Sequence, residues 1–230
     1  MAASFGDGFT DRLGPPVCLG RACVTLGSLP AGVLVSLKRL LLGYGVSVLA
    51  GLALGCALWR SALLRELLGP IVVGLQALPS ICWMPLALLW FGLSESAILF
   101  VVIAGSLLSI AVATEGGIRN VPPVYLRAAR TMGARGFTLY RRVVVPAALP
   151  GIVTGMKLGW VFAWRALMSG ELIFVAGGVG QLLRTGQETN DMARVLAVFA
   201  VIIALGLAIE TLFFARIERR LRERWGTDRA

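Results

Sequence analysis

Charged residues are absent from long stretches of this chain and crowded between them. A helix that crosses a bilayer needs about 20 mostly apolar residues. Leu40 to Trp59 carries no charge and meets that length, with a start expected near Gly32. Leu67 to Ser94 is also uncharged, but Pro79 and Pro85 interrupt it, so the pattern predicts a broken or kinked passage. Backbone groups released by such prolines find no water in lipid, which places this segment inside a bundle. Ser96 to Thr114, Ala147 to Ser169 and Val195 to Ala215 follow as further spans; the fourth contains Lys157 and Arg165, and the fifth Glu210. The expectation is an all-α membrane protein with five transmembrane helices. Its parts are a short N-terminal segment over 1–31, a transmembrane domain over 32–216 and a basic tail over 217–230.

Composition supports this. The 230 residues are 57% hydrophobic and 15% charged, with mean hydropathy +0.83, whereas a soluble domain carries roughly 25% charged residues. The net charge of +10 does not indicate nucleic acid, because the basic residues sit between apolar runs rather than on a polar face among aromatics. They mark a membrane-lipid boundary and an orientation. Arg119, Arg127, Arg130, Arg135, Arg141 and Arg142 crowd one loop without an acid, and Arg216, Arg219, Arg220, Arg222 and Arg224 crowd the C-terminus; both are expected in the cytoplasm. Arg60 to Glu66 falls on that side, while Glu171 to Arg194 and the N-terminus fall outside. Lys38 and Arg39, at the outer end of the first span, run against the rule. Asp7, Asp11, Arg12 and Arg21 exclude a signal peptide. The location that follows is a membrane, crossed several times.

Candidate chemistry is sparse. The chain has four cysteines without CxxC spacing and no histidine, so no metal site is expected, and Cys18, Cys23, Cys56 and Cys82 read as small packing residues. Gly51 and Gly55, and Gly151, Gly155 and Gly159, repeat at one-turn spacing, which permits close helix contact in lipid. The most patterned loop is VPPVYLRAARTMGARGFTLYRRVVVPAALPG, within 115–146 and its continuation. Pro122 and Pro123 are placed to open a helix over 124–134, with Leu126, Ala129, Met132 and Gly133 on one face. Such a helix fits a protein groove, or lies on anionic lipid.

This loop resembles the EAA loop of binding-protein-dependent ABC importer permeases: Ala128, Ala129, Gly133, Val143, Val145 and Pro146 stand at matching spacing, with Arg127 where the family has glutamate. The stretches LPSICWMPLALLWFGLSES and WRALMSGELIFVAGGVGQLL are similar to the taurine, sulfonate and nitrate branch. The resemblance implies the type I importer core fold of methionine-type permeases, with a cytoplasmic coupling helix in an ATPase cleft and Arg127, Ala128, Ala129, Met132, Gly133 and Pro146 at the ATPase-coupling site. It implies a homodimer, two ATPase subunits that hold ATP and Mg, an extracytoplasmic substrate-binding protein, a small anionic solute, and the bacterial inner membrane as location. Relatives of the branch carry an extra helix before a proline-rich segment; Pro15-Pro16-Val17 reads as its remnant, the helix being absent or the start of the sequence late.

No G-x-x-x-x-G-K-[ST] occurs, and neither Lys38 nor Lys157 follows a glycine-rich loop, so ATP hydrolysis is assigned to another chain. No catalytic residue is expected. Lys157, Arg165, Trp160 and Glu171 are candidates for a translocation path, with Lys157 and Arg165 on one side of their helix. A basic residue in a span faces a polar cavity or a partner. Lys157 therefore lines an anion path or binds carbonyls of a broken helix, and Arg165 lines the path, snorkels or meets Glu171. Trp83, Trp90, Trp160 and Trp164 read as interface anchors or packing residues. The alternative function is a stand-alone secondary transporter, which calls for internal repeats and intramembrane carboxylates; no repeat is evident, and Glu210 is the acid well within a span.

Overall fold

The computed structural model describes residues 15–174 and 177–225, with side chains over 29–136, 138–174 and 177–220. The segment 1–14, the side chains of Pro15, Pro16, Val17, Cys18, Cys23, Arg222 and Arg224, and residues 226–230 lie outside that description. Among the described residues there are helices and short connections, with no strand.

Helix α1 (Pro15–Arg60) runs unbroken for 46 residues, with Pro30 inside it. The boundary expected after residue 31 falls within this helix. Ser61 alone separates α1 from α2 (Ala62–Gln76), and its side chain accepts the Leu64 N–H at 3.4 Å. The Arg60–Glu66 connection expected from sequence is thus helical except at Ser61.

The proline-interrupted segment is broken, as its pattern predicts. Beyond α2 comes a 3₁₀ turn (Ser80–Trp83) and then α3 (Met84–Phe91), and the chain bends by 108° between the two halves. Pro79 caps the 3₁₀ turn and Pro85 sits in the first turn of α3, where a missing N–H forfeits no intrahelical bond.

Helix α4 (Glu95–Arg119) is the axis of the bundle. Its Ala97, Ile98, Val101, Val102, Ile110 and Ala111 are fully enclosed. Helices α1 and α7 (Val145–Ile173) clasp it from two sides, and the glycine repeats lie at these contacts. A Cβ on Gly55 would stand 2.6 Å from the Ala111 carbonyl oxygen, and one on Gly155 only 2.1 Å from Ala113 Cβ. Any side chain there would push the helices apart, so the repeats mark backbone-to-backbone packing within one chain.

Helix α5 (Pro123–Thr131), the short α6 (Gly136–Leu139) and a π-helical turn (Tyr140–Val144) join α4 to α7. Helix α8 (Val179–Glu188) packs across the far end, against α7 and α9 (Met192–Ile209). A second π turn (Glu210–Phe214) leads into α10 (Ala215–Trp225), so the boundary expected after residue 216 also lies inside a helix. Among the described residues four helical stretches are long and apolar enough to cross a bilayer, and the bent pair raises the number to as many as five.

Candidate functional site: the loop helix and the intramembrane charges

The α5 helix is closed at its C-terminus by backbone geometry that glycine supplies. Gly133 has φ +85, a left-handed conformation in which a side chain is strained. With Gly133 so placed, its N–H bonds to the Arg130 carbonyl at 3.0 Å and the Ala134 N–H to the Ala129 carbonyl at 2.9 Å. This pair of bonds is the Schellman closure of a helix. Gly136, at φ +55, turns the chain again into α6.

The seating of α5 separates the residues of its expected partner face. Ala129 was expected on the face offered to a partner, but it is 8% exposed and turned onto the chain's own bundle. Leu126 packs beside it on Ile118, Val121, Val144 and Ala148. The physical reason is steric: a nine-residue helix lies close to the bundle through a small side chain. The uncovered side carries Val124 (58% exposed), Tyr125 (48%) and Met132 (87%), together with Arg127, Ala128 and Gly133. Thr131 donates its hydroxyl to the Ala128 carbonyl at 2.7 Å, leaving the hydroxyl satisfied within the helix.

Pro146 has a local structural role. Lacking an N–H, it returns no bond to the preceding turn. Just ahead of it the chain widens into the π turn, where the Val145 N–H reaches back to the Tyr140 carbonyl. Tyr140 stacks on Trp59 with ring centroids 5.2 Å apart, and its hydroxyl lies 3.7 Å from Cys56 Sγ. These contacts tie the loop to the end of α1.

The four residues expected along a path do not share a surface. Lys157 Nζ lies 3.1 Å from Glu210 and 3.7 Å from Glu218, so it joins α7 to the C-terminal helix. Neither carbonyl binding nor a free cation describes it. Trp160 is wedged edge-on against Tyr44 at 5.1 Å and tilted against Phe214 at 6.2 Å. It is a core residue. Glu171 is fully buried. Arg165, by contrast, is exposed and borders a cavity at the bend between α2 and the 3₁₀ turn. Lys157 and Arg165 therefore serve different surroundings, although they share a helix.

A residue that sequence reasoning did not select holds the far end together. Arg39, 5% exposed, extends one nitrogen to Glu95 at 2.5 Å and another to Glu171 at 3.3 Å. The Glu171 carboxylate also accepts from Ser36 at 2.7 and 2.8 Å and from the Gly180 N–H at 3.0 Å. Ser36 Oγ in turn accepts the Val179 N–H at 2.9 Å. A buried carboxylate held by a guanidinium, a hydroxyl and a helix N-terminus has its charge answered on several sides. The available signal was the position of Arg39, which the orientation rule disfavours, together with Glu171 at the end of another span.

The fold has counterparts among known proteins. The family model described as binding-protein-dependent transport system inner membrane component matches residues 47–223. The chain belongs to that family. A probable ABC transporter permease of Brucella melitensis is 33% identical over 210 residues, covering 90% of this chain and 85% of the relative. The taurine transport system permease of Escherichia coli is 31% identical over 186 residues, covering 81% and 67%. A subunit of the MetNI methionine ABC transporter, in inward-facing form, superposes with TM-score 0.71 at 21% identity, over 91% of this chain and 99% of that one. This permease is thus a multi-pass inner membrane component with the fold of that transporter, and ATP hydrolysis belongs to a separate subunit of such systems.

Proposed function

We propose that this permease forms the translocation path of an ATP-driven importer for a small anionic solute of the sulfonate, taurine or nitrate kind. It works as a homodimer with two ATPase subunits and an extracytoplasmic substrate-binding protein. No cofactor resides on this chain; ATP and Mg belong to the ATPase. The α5 helix is the coupling helix, on the cytoplasmic side with the arginine-rich loop and the C-terminus. The observation that carries this reading is the uncovered apolar set of Val124, Tyr125 and Met132 on a helix whose opposite face is already seated. Large apolar side chains flanked by arginine suit a protein groove, where aromatic anchors and arginine concentrate binding energy. The anionic solute is supported by similarity to the taurine permease and to the nitrate import permease of Leptolyngbya laminosa, 28% identical over 180 residues.

The test is co-expression of Val124→Asp with the cognate ATPase. The expected result is normal membrane insertion with loss of ATPase pull-down, because the substitution lies outside the spans. Full association and coupled hydrolysis in this variant would return α5 to the lipid surface.

A further inference from the structure

Three cations inside the spans, Arg39, Lys157 and Arg165, differ in what answers their charge. Arg39 and Lys157 face carboxylates, at 2.5 to 3.3 Å for Arg39 and 3.1 to 3.7 Å for Lys157. Arg165 has no ion pair and no side-chain hydrogen bond among the described residues; only its backbone carbonyl is engaged, by the Ser169 hydroxyl at 3.0 Å. It stands eight residues before the end of α7, so it is a charge in a span that nothing in the described chain answers.

Its surroundings are a site in shape and chemistry. Arg165 borders a cavity of about 550 Å³, opened where Pro79 breaks the second span. That volume is within the range of small-molecule pockets. Gln76 and Ser80 contribute an amide and a hydroxyl to the lining, while Trp83, Trp164 and Met168 supply apolar wall. Among the described residues no carboxylate lines it. One guanidinium matches one negative charge and presents a planar fork of donors to oxyanion oxygens. The amide and hydroxyl add donors, and the rings and thioether accept an apolar stem. The absence of a lining carboxylate leaves no strong partner for an ammonium group.

We infer that Arg165, Gln76 and Ser80 form a binding site for a small alkanesulfonate, with the sulfonate on Arg165 and the alkyl stem against Trp83 and Trp164. The inference deepens the importer reading and rests on it for the ligand's passage, but the site has its own readout. Lys157, the other basic residue of α7, takes no part, since its charge is already met by Glu210 and Glu218.

The experiment titrates the purified permease–ATPase complex, in lipid nanodiscs, with sodium methanesulfonate and follows tryptophan fluorescence, since Trp83 and Trp164 border the cavity. Sodium chloride at matched ionic strength is the control. The expected result is a saturable change with methanesulfonate and none with chloride. Arg165→Gln should raise the half-saturation concentration at least tenfold, and Arg165→Lys should recover part of the loss. Taurine, which carries an ammonium group, should bind more weakly than methanesulfonate. No saturable response in the wild type, an equal response to chloride, or an unchanged titration in Arg165→Gln would each overturn the site. ATPase pull-down on the same preparations separates the two readings. Retained pull-down with an unchanged Arg165→Gln titration removes the site and leaves the importer. Failure of the wild type to hold the ATPase removes the importer reading, and the titration, run on permease alone, still decides the site.

Discussion

The two ends of this bundle solve opposite problems. At the end of α7, the Glu171 carboxylate is fully buried and bonded to Ser36, Arg39 and Gly180 within one chain. At the α5 end, Val124, Tyr125 and Met132 stand uncovered on a helix whose other face is packed. The first region is complete in the protomer; the second leaves apolar surface that water disfavours. A region whose polar and apolar needs are met internally serves the fold, and the uncovered side chains at the α5 end fit the ATPase contact proposed above. Substitutions at the first should therefore change stability, and those at the second should change association.

The largest effect is expected from Glu171→Ala. Removing one member of a buried ionic group typically costs ~3–5 kcal/mol, and here it also takes the anion from the start of α8. Thermal unfolding in detergent should fall steeply, while the fraction still folded should hold the ATPase. If this variant melts with the wild type, the far-end cluster is not what fastens α8.

Gly155→Val comes next. The added Cβ would lie 2.1 Å from Ala113 Cβ, and overpacking of this kind costs ~1–3 kcal/mol. The readout is again unfolding temperature. A neutral outcome would mean that α4 and α7 have room to separate.

Tyr125→Ala sharpens the other side of the comparison. The ring is about half exposed, so little folding energy is lost, but an interface anchor removed costs ~1–2 kcal/mol. ATPase affinity should drop about tenfold with an unchanged melting curve. Lower stability at unchanged affinity would erase the distinction between the two ends.

The smallest change is expected from Lys157→Met. Its partners Glu210 and Glu218 are 51% and 28% exposed and the lysine itself 32%, so neither pair is enclosed in the core as the Glu171 cluster is. Uptake of an anionic solute should continue near the wild-type rate. A complete loss of uptake would place Lys157, rather than Arg165, on the path.

Much of this molecule was legible along the chain. Uncharged runs of membrane length, the breaks at Pro79 and Pro85, the glycine repeats and the helix opened by Pro122 and Pro123 all follow from local rules about lipid, proline and small residues. The exit from α5 comes earlier than the expected end at residue 134, because Gly133, with no Cβ, takes a left-handed conformation there. What periodicity does not contain is which face of α5 meets the bundle. Leu126 and Ala129 share a face with Met132 by spacing, yet Ala129 is enclosed and Met132 is 87% exposed, because the helix ends at Thr131 and Met132 already belongs to its cap.

The pairing of charges was likewise outside the sequence. Arg39 and Glu171 are 132 positions apart and Lys157 and Glu218 are 61 apart, and nothing in either neighbourhood names the partner. Local chemistry determined that the chain enters lipid, where it breaks and where it turns, because each residue's solvation and backbone freedom act within a few positions. Tertiary packing alone decided that Arg39 and Lys157 are neutralised while Arg165 faces a cavity, because a charge in a span is answered by whichever distant helix packs beside it.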